Sequence, residues 1–532
     1  MTKSERSRSA DFSPQQCADY QGARSNPDPP VFRTLLRTKV RAPIRICSFC
    51  LLSSFLTGCS IGPDYHRPSA LGTNATPSVY SIPASATNSA EWRIATPAPQ
   101  SPRGPWWGVF QDQELDRLEN LSQVNNQELA AAIARFDEAR ASVNIAKSDW
   151  FPQVQLDPNY TRQRTSFNEP QSGESARAAH TYNTFNLNLQ AAWEIDLWGR
   201  VRRQVEAARA RFAANADELG ALNLAVQAEV ATDYFALRAL DSEYELIQRT
   251  AEAYRRSLEL TINRRKGGVA SDLDVSQAET QLRATEAELP ALQLERSRLT
   301  HALAVLCGQS ATSFSLAAAA LPTDQTPDVP AALPSELLER RPDIAAAEQR
   351  MAAANADIGV AEGAFYPRLT LNGLAGFQSV DSSTWFDWPS RLWAVGPSLE
   401  LPLFTGGRNR AQLAFARASY KETVANYRQT VLSGFQEVED QLTAQVLLES
   451  QIGAQTAALA AANQTLKIAN NRYKAGLVTY LEVAIAQSAA LRIERTVVQL
   501  RGQKLVATVA LIRALGGGWQ SKSEAQASST VR

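Results

Sequence analysis

Residues 201–266 read VRRQVEAARARFAANADELGALNLAVQAEVATDYFALRALDSEYELIQRTAEAYRRSLELTINRRK. This stretch contains no proline and a single glycine, Gly220. Apolar residues recur at steps of three and four, as in Leu219, Leu222, Val226 and Val230, which is the pattern of one helical face. At a rise of 1.5 Å per residue, these residues predict one helix of about 99 Å, far longer than the helices of ordinary globular domains.

The pattern occurs a second time, because Asn409–Lys474 also lacks proline. Aligned pairs mark an internal repeat: Gly199 with Gly407, Asn263 with Asn471, Gly308 with Gly516, and Arg135–Pro152 with Arg350–Pro367. Repeats of this kind identify one structural unit used more than once. Each unit is predicted as a helix, two strands, a very long helix, a turn and a further long helix.

The ends of the long helices predict a sharp return of the chain. A cation followed by glycine is a C-terminal helix signal, and it occurs in Lys266-Gly267-Gly268 and again in Lys474-Ala475-Gly476. Ser271 and Thr479 are plausible N-caps for the helices that follow. Each unit therefore predicts a long antiparallel helical hairpin. A plain structural coiled coil would have the same helices.

Segments between the helices alternate with period two. Apolar residues occupy every second position from Phe185 to Ile195, and again from Trp393 to Leu403. This alternation is typical of a transmembrane barrel with lipid outside and water inside, and nearby tryptophans fit aromatic belts. Four strands per chain cannot close a barrel, so other chains must supply the rest. Soluble amphipathic hairpins packed on a core are the alternative interpretation.

The N-terminus predicts a lipoprotein signal. Basic residues precede an apolar stretch from Ile46 to Leu56, which ends in Leu-Thr-Gly-Cys at Cys59. This ending resembles the bacterial lipobox, which implies cleavage before Cys59, lipid on its sulfur and, with Ser60 next, sorting to the outer membrane. Signals rarely begin so far along a chain, so we expect translation to start downstream of Met1. Cys307 is then the one cysteine of the body outside the lipid site, and we expect it to be a small buried residue.

Composition argues against several classes of protein. Lys+Arg and Asp+Glu both number 54, and this balance disfavours a nucleic-acid binder. The three histidines, His66, His180 and His301, share no ligand spacing, so we predict no metal site. No run of eighteen apolar residues predicts a transmembrane helix. No nucleophile–base set or phosphate loop stands out, so we predict that the protein is not an enzyme and uses no cofactor besides the lipid on Cys59.

The motifs together resemble one protein family, the outer-membrane factors (TolC-like) of bacterial efflux systems, in their NodT-type lipoprotein branch. The matching motifs extend from Cys59 to about Gly518 and are Gly62-Pro63-Asp64-Tyr65, Trp106-Trp107, Trp193-Glu194-Ile195-Asp196-Leu197-Trp198-Gly199-Arg200, Leu337-Leu338-Glu339-Arg340-Arg341-Pro342-Asp343-Ile344, Ala353-Ala354-Asn355-Ala356-Asp357-Ile358-Gly359-Val360-Ala361 and Leu403-Phe404-Thr405-Gly406-Gly407-Arg408.

The resemblance implies a mainly α protein with a transmembrane β portion. A homotrimer would form a twelve-stranded barrel in the outer membrane, anchored in its lipid, and an α-barrel of helical hairpins in the periplasm. A periplasmic adaptor and an inner-membrane pump, of the resistance-nodulation-division type, would dock at the far tip and supply the energy. The predicted function is a passive export duct for drugs or other small molecules.

The resemblance also assigns site residues. The turns at Gly268 and Val269, and at Gly476, Leu477 and Val478, match the family's adaptor-docking turns. Asp274, Tyr473 and Glu482 match side chains that hold family channels shut at the periplasmic tip. The family's second gate acid falls at Ile485, which favours a hydrophobic constriction as a substitute. Simple helix caps and exposed surface charges are the alternatives for these two sets.

Two other functions remain open from the sequence: an export duct for proteins or polysaccharide, and a non-transporting coiled-coil envelope scaffold. We predict five segments along the chain: a signal and extension at 1–58, a lipid-anchored extended segment at 59–104, a first repeat unit at 105–322, a second at 323–518 and a flexible tail at 519–532.

Overall fold

The computed structural model describes residues 60–71, 105–166, 180–322, 327 and 340–517. All of them belong to one of the two units into which the chain divides, Gly58–Arg532. The predicted lipid-attachment residue Cys59, the signal segment and the tail at 519–532 lie outside the described residues, so their assignments stay predictions.

The order of elements repeats along the chain. After a 3-10 turn at Trp106–Phe110, the first half contains α1 (Gln113–Asn125), α2 (Gln127–Ser148), β1 (Gln153–Arg164), β2 (Thr181–Ile195), α3 (Arg200–Lys266) and α4 (Asp272–Leu306). The second half contains α5 (Pro342–Gly363), β3 (Arg368–Ser379), β4 (Arg391–Glu400), α6 (Arg408–Lys474) and α7 (Tyr480–Ala514). Each half thus has helix, two strands, very long helix and long helix, as the repeat predicts.

The two very long helices are present with the predicted ends. Helices α3 and α6 each have 67 residues and end at Lys266 and Lys474, which corresponds to about 100 Å of helix. Helices α4 and α7 return along them with 35 residues each. Arginine and lysine in the last turn of α3 and α6 complement the negative end of the helix dipole. The predicted helical hairpins are therefore confirmed.

The main core lies where both halves meet. Trp106, Trp107 and Leu118 from the start of the body pack with Phe235 of α3, and the cluster extends to α4 and α7. Cys307 is fully buried in the same cluster, as predicted for a small apolar residue. The two hairpins are thus fixed to one another through shared apolar burial about midway along the long helices.

A second core begins at the predicted helix start before Pro342. Pro342 occupies the first turn of α5, and Ile344 and Met351 of that helix are buried against α6 and α7. The buried Arg341 guanidinium donates to Asp343 at 2.6 Å, to Glu437 at 2.6 Å and to the carbonyl oxygen of Ala514 at 3.2 Å. This guanidinium ties the start of α5 to α6 and to the end of α7.

The four strands form one antiparallel sheet in the order β1-β2-β3-β4. Its registers place Leu156 opposite Leu189, Leu189 opposite Ala375, and Ala375 opposite Trp393. The strands are therefore matched so that apolar positions share one face. Strands β1 and β4 are the edges, and each pairs on one side only within the described chain.

Glu119 of α1 is a buried acid at the main core. Both of its carboxyl oxygens lack a hydrogen-bond partner among the described residues. Burial, with a smaller contribution from the charge of Asp116, raises the pKa of Glu119 to about 9. The group is therefore protonated in the folded chain at neutral pH, whereas it ionises in the unfolded chain.

We expect Glu119→Gln to remove a pH dependence of stability. Between the unfolded pKa of 4.5 and the folded pKa of about 9, only the folded chain keeps the proton, so the wild-type free energy of unfolding falls as pH rises, by up to about 1.4 kcal/mol per pH unit. The melting temperature of Glu119→Gln, followed by near-ultraviolet circular dichroism in detergent, should exceed that of wild type increasingly from pH 5 to pH 8. Glu138→Gln, at an exposed position of α2, is the control. A gap that stays constant with pH would contradict this account.

Candidate functional site: a membrane-facing sheet and a hairpin tip

One face of the sheet is mainly apolar and the other is mostly polar. The registers put on one face Val154, Leu156, Pro158 and Tyr160 of β1, Phe185, Leu187, Leu189, Ala191, Trp193 and Ile195 of β2, Leu369, Leu371, Ala375 and Phe377 of β3, and Trp393, Val395, Pro397 and Leu399 of β4. The other face carries mostly amides, hydroxyls and acids, among them Gln155, Asp157, Asn159, Asn186, Asn188, Gln190, Thr370, Asn372 and Ser398. Apolar side chains on one face and polar ones on the other suit a sheet between lipid and water.

The apolar face has the height of a bilayer. From Phe185 to Ile195 of β2 the strand extends about 34 Å, or about 26 Å along the membrane normal at a tilt near 40°. Several apolar side chains of this face are exposed in the single chain, including Leu156, Trp393, Val395 and Leu399. Water would disfavour such a continuous exposed surface, whereas lipid hydrocarbon would cover it.

The two hairpin turns have the same backbone geometry. Gly268 and Gly476 have φ of 74° and 76°, a left-handed conformation in which glycine avoids strain. The amide of Val269 donates to the carbonyl oxygen of Arg264 at 2.8 Å, and the amide of Leu477 donates to that of Arg472 at 2.9 Å. The predicted C-terminal signals therefore form equivalent caps in both halves.

The predicted docking residues differ in exposure. Val269 is 66% exposed and Leu477 is 71% exposed, so both present apolar surface at the extreme tip. Val478 packs instead against the apolar cluster of Tyr473, Tyr480 and neighbouring residues. The exposed apolar surface at the predicted docking site is therefore one side chain per turn.

The predicted N-caps beyond the turns also differ. Ser271 forms a capping box with Asp274, because the side-chain oxygen of each residue accepts a hydrogen bond from the backbone amide of the other. Thr479 occupies the N-cap position of α7 but its side chain makes no capping hydrogen bond. The amide of Tyr480 donates to Asp274 Oδ1 of the other hairpin at 3.2 Å, so a neighbouring carboxylate supplies the cap.

Tyr473 lies in a contact between the hairpins and is 5% exposed. Its hydroxyl is 3.2 Å from the hydroxyl of Thr261 on α3, and its ring packs edge-on against that of Tyr480. The guanidinium carbon of Arg264 lies 4.7 Å from the centre of the Tyr473 ring, and Arg264 donates to the carbonyl oxygen of Lys474 at 3.0 Å. We call Thr261, Arg264, Asp274, Tyr473 and Tyr480 the tip contact.

Asp274 is held ionised within the tip contact. Burial acts to raise its pKa, but hydrogen bonds from Ser271 and from the amide of Tyr480, together with the charge of Arg264, hold the pKa below its usual value. The carboxylate therefore keeps its charge at periplasmic pH values, and it links the start of α4 to the start of α7.

Glu482 lies apart from the other two predicted gate residues. Its side chain is half exposed and forms an ion pair of 3.5 Å with Arg472 of the same hairpin. The structure thus brings Asp274 and Tyr473 together across the two hairpins, while Glu482 stays on the surface of the tip.

Sequence reasoning missed three members of the tip contact, Arg264, Thr261 and Tyr480. The internal repeat contains a signal for the first, because Arg264 aligns with Arg472 and Asp274 aligns with Glu482. Each hairpin thus has an arginine near the end of its long helix and an acid near the start of its returning helix. No signal in the sequence marks Tyr480 as buried between the hairpins.

The N-terminal described segment is fastened at the helical end of the sheet. The amide of Ile61 donates to the carbonyl oxygen of Trp198 at 3.0 Å, just beyond β2. The buried Arg203 of α3 donates to the carbonyl oxygen of Gly62 at 3.2 Å and to the carboxylate of Asp64 at 2.8 Å. Farther along, Arg67 donates to the Tyr427 hydroxyl at 3.1 Å.

Two further features are absent from the part of the chain that the structure describes. In the described ranges, no helix is long and apolar enough to cross a membrane. Within the same residues, no group of three or more His, Cys, Asp or Glu side chains is arranged to hold a metal ion.

A sheet with an apolar band of bilayer height, two unpaired edges and helical hairpins about 100 Å long defines a class of protein: a subunit of an outer-membrane channel with a long periplasmic portion. Comparison with known sequences specifies the class further. The family model described as outer membrane efflux protein matches residues 118–309 and 333–517, and the chain belongs to this family.

Relatives and solved structures agree with this assignment. The chain is 33% identical over 478 residues to the probable efflux pump outer membrane protein TtgC of Pseudomonas putida, covering 90% of this chain and 96% of TtgC. It is 30% identical over 487 residues to the cation efflux system protein CusC of Escherichia coli, covering 90% of this chain and all of CusC. The solved structure of the outer-membrane channel OprN matches with a TM-score of 0.76 and 32% identity, over 87% of this chain and all of that one.

The predicted fold class, family, function as an outer-membrane efflux channel, and location in the outer membrane are therefore confirmed. Soluble hairpins packed on a core, the alternative for the strands, do not fit this family. The roles of Gly268, Val269, Asp274, Tyr473, Gly476, Leu477, Val478 and Glu482 stay predictions, as does the lipid on Cys59.

Proposed function

We propose that three copies of this chain form a passive duct that catalyses no reaction. The observation that carries the proposal is the pair of unpaired edges, β1 and β4. Backbone groups on an open edge cannot be satisfied in hydrocarbon, so β4 of one copy pairs with β1 of the next until the ring closes. Three copies of a four-stranded sheet supply twelve strands, an even number within the range of outer-membrane barrels.

The duct works with a periplasmic adaptor and an inner-membrane pump of the resistance-nodulation-division type. The relatives' names support a pump as partner, since they describe a toluene efflux pump outer membrane protein and a cation efflux system protein. We propose small molecules as the exported class. Val269 and Leu477, each exposed on a rigid turn, offer the adaptor an apolar contact at the tip.

The closed state is held by the tip contact. It joins the two hairpins through one cation–π contact and hydrogen bonds that cross between them, while the packing of the Tyr473 and Tyr480 rings fixes the second hairpin's side of the contact. Opening the duct requires one hairpin to move away from the other, which breaks these contacts together. Glu482 contributes charge at the entrance rather than a link between hairpins.

The chain carries a lipid on Cys59, which is its one covalent cofactor. Support comes from the neighbouring residue: a side chain at Gly199 would meet Ser60 at 3.0 Å, so Ser60 lies at the end of β2 nearest the helices. That end of the strands is where the inner leaflet of the outer membrane would be. An acyl anchor starting there enters the leaflet without crossing the headgroups.

The test combines the mass of the purified assembly with planar-bilayer recording of the same sample. We expect three chains per particle and discrete channels whose openings are small or rare in wild type. A monomer that folds but does not insert would contradict the duct and favour an envelope scaffold. Large permanent openings in a trimer would keep the duct and reject the closed tip contact.

A further inference from the structure

We infer that Arg162, Arg164 and Arg391 form a binding site for the phosphate groups of an anionic glycolipid in the outer leaflet, at each seam between neighbouring copies. The inference rests on the proposed trimer, because β1 and β4 are brought side by side only between copies. It concerns a surface that the export path itself does not use.

All three arginines lie on the lipid-facing side of the sheet. Arg162 and Arg164 continue the alternate positions of Leu156, Pro158 and Tyr160 along β1. Arg391 is opposite Phe377 in the register, and it precedes Trp393 and Val395 on the same face of β4. The opposite face, which would line the water-filled interior, has Gln163 at this level of β1.

The arginines also all lie at the end of the sheet farthest from the helices. Strand β1 runs away from the helices and ends at Arg164, whereas β4 begins at Arg391 and returns toward them. Both ends are therefore at the outer rim. Arg162 is two residues beyond Tyr160, and Arg391 is two residues beyond Trp393, so each lies about 7 Å outside the last aromatic ring of its strand. That depth corresponds to the headgroup layer above the aromatic belt.

The contacts that these arginines make at the rim leave their charges available to bind an anion. The three arginines are exposed, and among the described residues none of them forms an ion pair. The guanidinium carbon of Arg391 lies 4.0 Å from the ring centre of Trp388, which is 72% exposed. Arg391 also donates to the carbonyl oxygen of Trp388 at 3.2 Å, so its position is set while other N–H groups remain free to donate.

The chemistry of the site selects its ligand. Guanidinium groups bind phosphate with two parallel hydrogen bonds, and three of them in the headgroup layer concentrate positive charge where anionic lipid groups lie. Exposed rings at Trp388 and Trp393 add flat surface for sugar and acyl carbons. A phosphorylated disaccharide lipid presents phosphate, sugar and acyl chains in the order in which the rim presents guanidinium, tryptophan and the apolar band.

Native mass spectrometry of the purified full chain in detergent micelles tests this site. The probes are diphosphorylated lipid A, dephosphorylated lipid A and inorganic phosphate. We expect up to three diphosphorylated molecules per trimer, with affinity at least about tenfold above that of the dephosphorylated form. A variant that combines Arg162→Gln, Arg164→Gln and Arg391→Gln should bind diphosphorylated lipid A about as weakly as the wild type binds the dephosphorylated form.

A matched triple variant, Arg256→Gln, Arg298→Gln and Lys467→Gln, removes three exposed charges from the helices and should bind like wild type. Equal loss in that variant would reveal a general charge effect and overturn the site. Equal binding of both lipids by wild type, which needs no variant, would also overturn it, as would binding of inorganic phosphate alone with the same affinity. The measured mass separates the two proposals. A trimer that binds both lipids equally contradicts only the lipid site, whereas a monomer contradicts both the lipid site and the trimeric duct.

Discussion

The single-channel conductance of the reconstituted protein is expected to rise severalfold, with more frequent openings, when Arg264 and Tyr473 are both replaced by alanine. The double variant removes the cation–π contact, the hydrogen bond to the Lys474 carbonyl oxygen and the hydrogen bond between Tyr473 and Thr261. Contacts of these kinds contribute about 1 kcal/mol each, so together they shift a closed–open equilibrium by about two orders of magnitude. Planar-bilayer recording measures this directly.

Arg265→Ala is the matched control for this variant. Arg265 is adjacent to Arg264 and carries the same charge, but its ion pair of 2.5 Å is with Asp272 of its own hairpin. Its loss should leave conductance near wild type. If Arg265→Ala opened the channel as widely as the double variant, charge at the tip rather than contact between hairpins would control opening.

Ion selectivity, measured in the same recordings, tests the role of Glu482 separately from that of the tip contact. Because the ion pair of Glu482 among the described residues is with Arg472 of its own hairpin, Glu482→Ala should change the preference for cations over anions more than the size of the openings. A conductance increase equal to that of the Arg264 and Tyr473 double variant would place Glu482 in the closing contact after all.

A second large effect is expected from Gly308→Ala, which should lower the free energy of unfolding by more than about 3 kcal/mol or prevent folding. Gly308 ends the α4 segment with φ of 64°, and an added Cβ would lie 2.1 Å from the backbone carbonyl oxygen of Asn125. That clash separates α1 from α4 beside the main core. The yield of folded trimer and its thermal unfolding in detergent measure the effect.

Gly268→Ala is the control that separates the steric clash of an added Cβ from the strain of a left-handed backbone. Gly268 also has a left-handed φ, 74°, but nothing lies within 4 Å of the position of a Cβ. Its replacement should cost only the strain of about 1 kcal/mol. At Gly516, the repeat equivalent of Gly308, an added Cβ would lie 2.8 Å from the carbonyl oxygen of Arg340, so Gly516→Ala should also cost more than Gly268→Ala. Similar stabilities for the Gly308 and Gly268 variants would show that the close approach is relieved at little cost.

The sequence alone predicts the architecture of this chain well. Long proline-free runs with helical periodicity predict α3 and α6 to within a residue at both ends, since helix propagation is a local property. Strict alternation predicts which strand residues face lipid, because successive side chains of a strand point to opposite faces. The internal repeat predicts the equivalence of the two hairpin turns, which share their cap geometry.

Only the tertiary structure determines what joins the hairpins. Tyr473 and Thr261 are 212 residues apart in the chain, and Asp274 caps the start of α7 rather than lying free at the tip. Sequence patterns report periodicity and composition over one or two turns, whereas these contacts depend on the rotation and offset of one 100 Å hairpin against the other. That packing is set by cores such as the cluster of Trp106 and Phe235, far from the tip, so no local signal marks Tyr480 as a partner, and only the internal repeat points to Arg264.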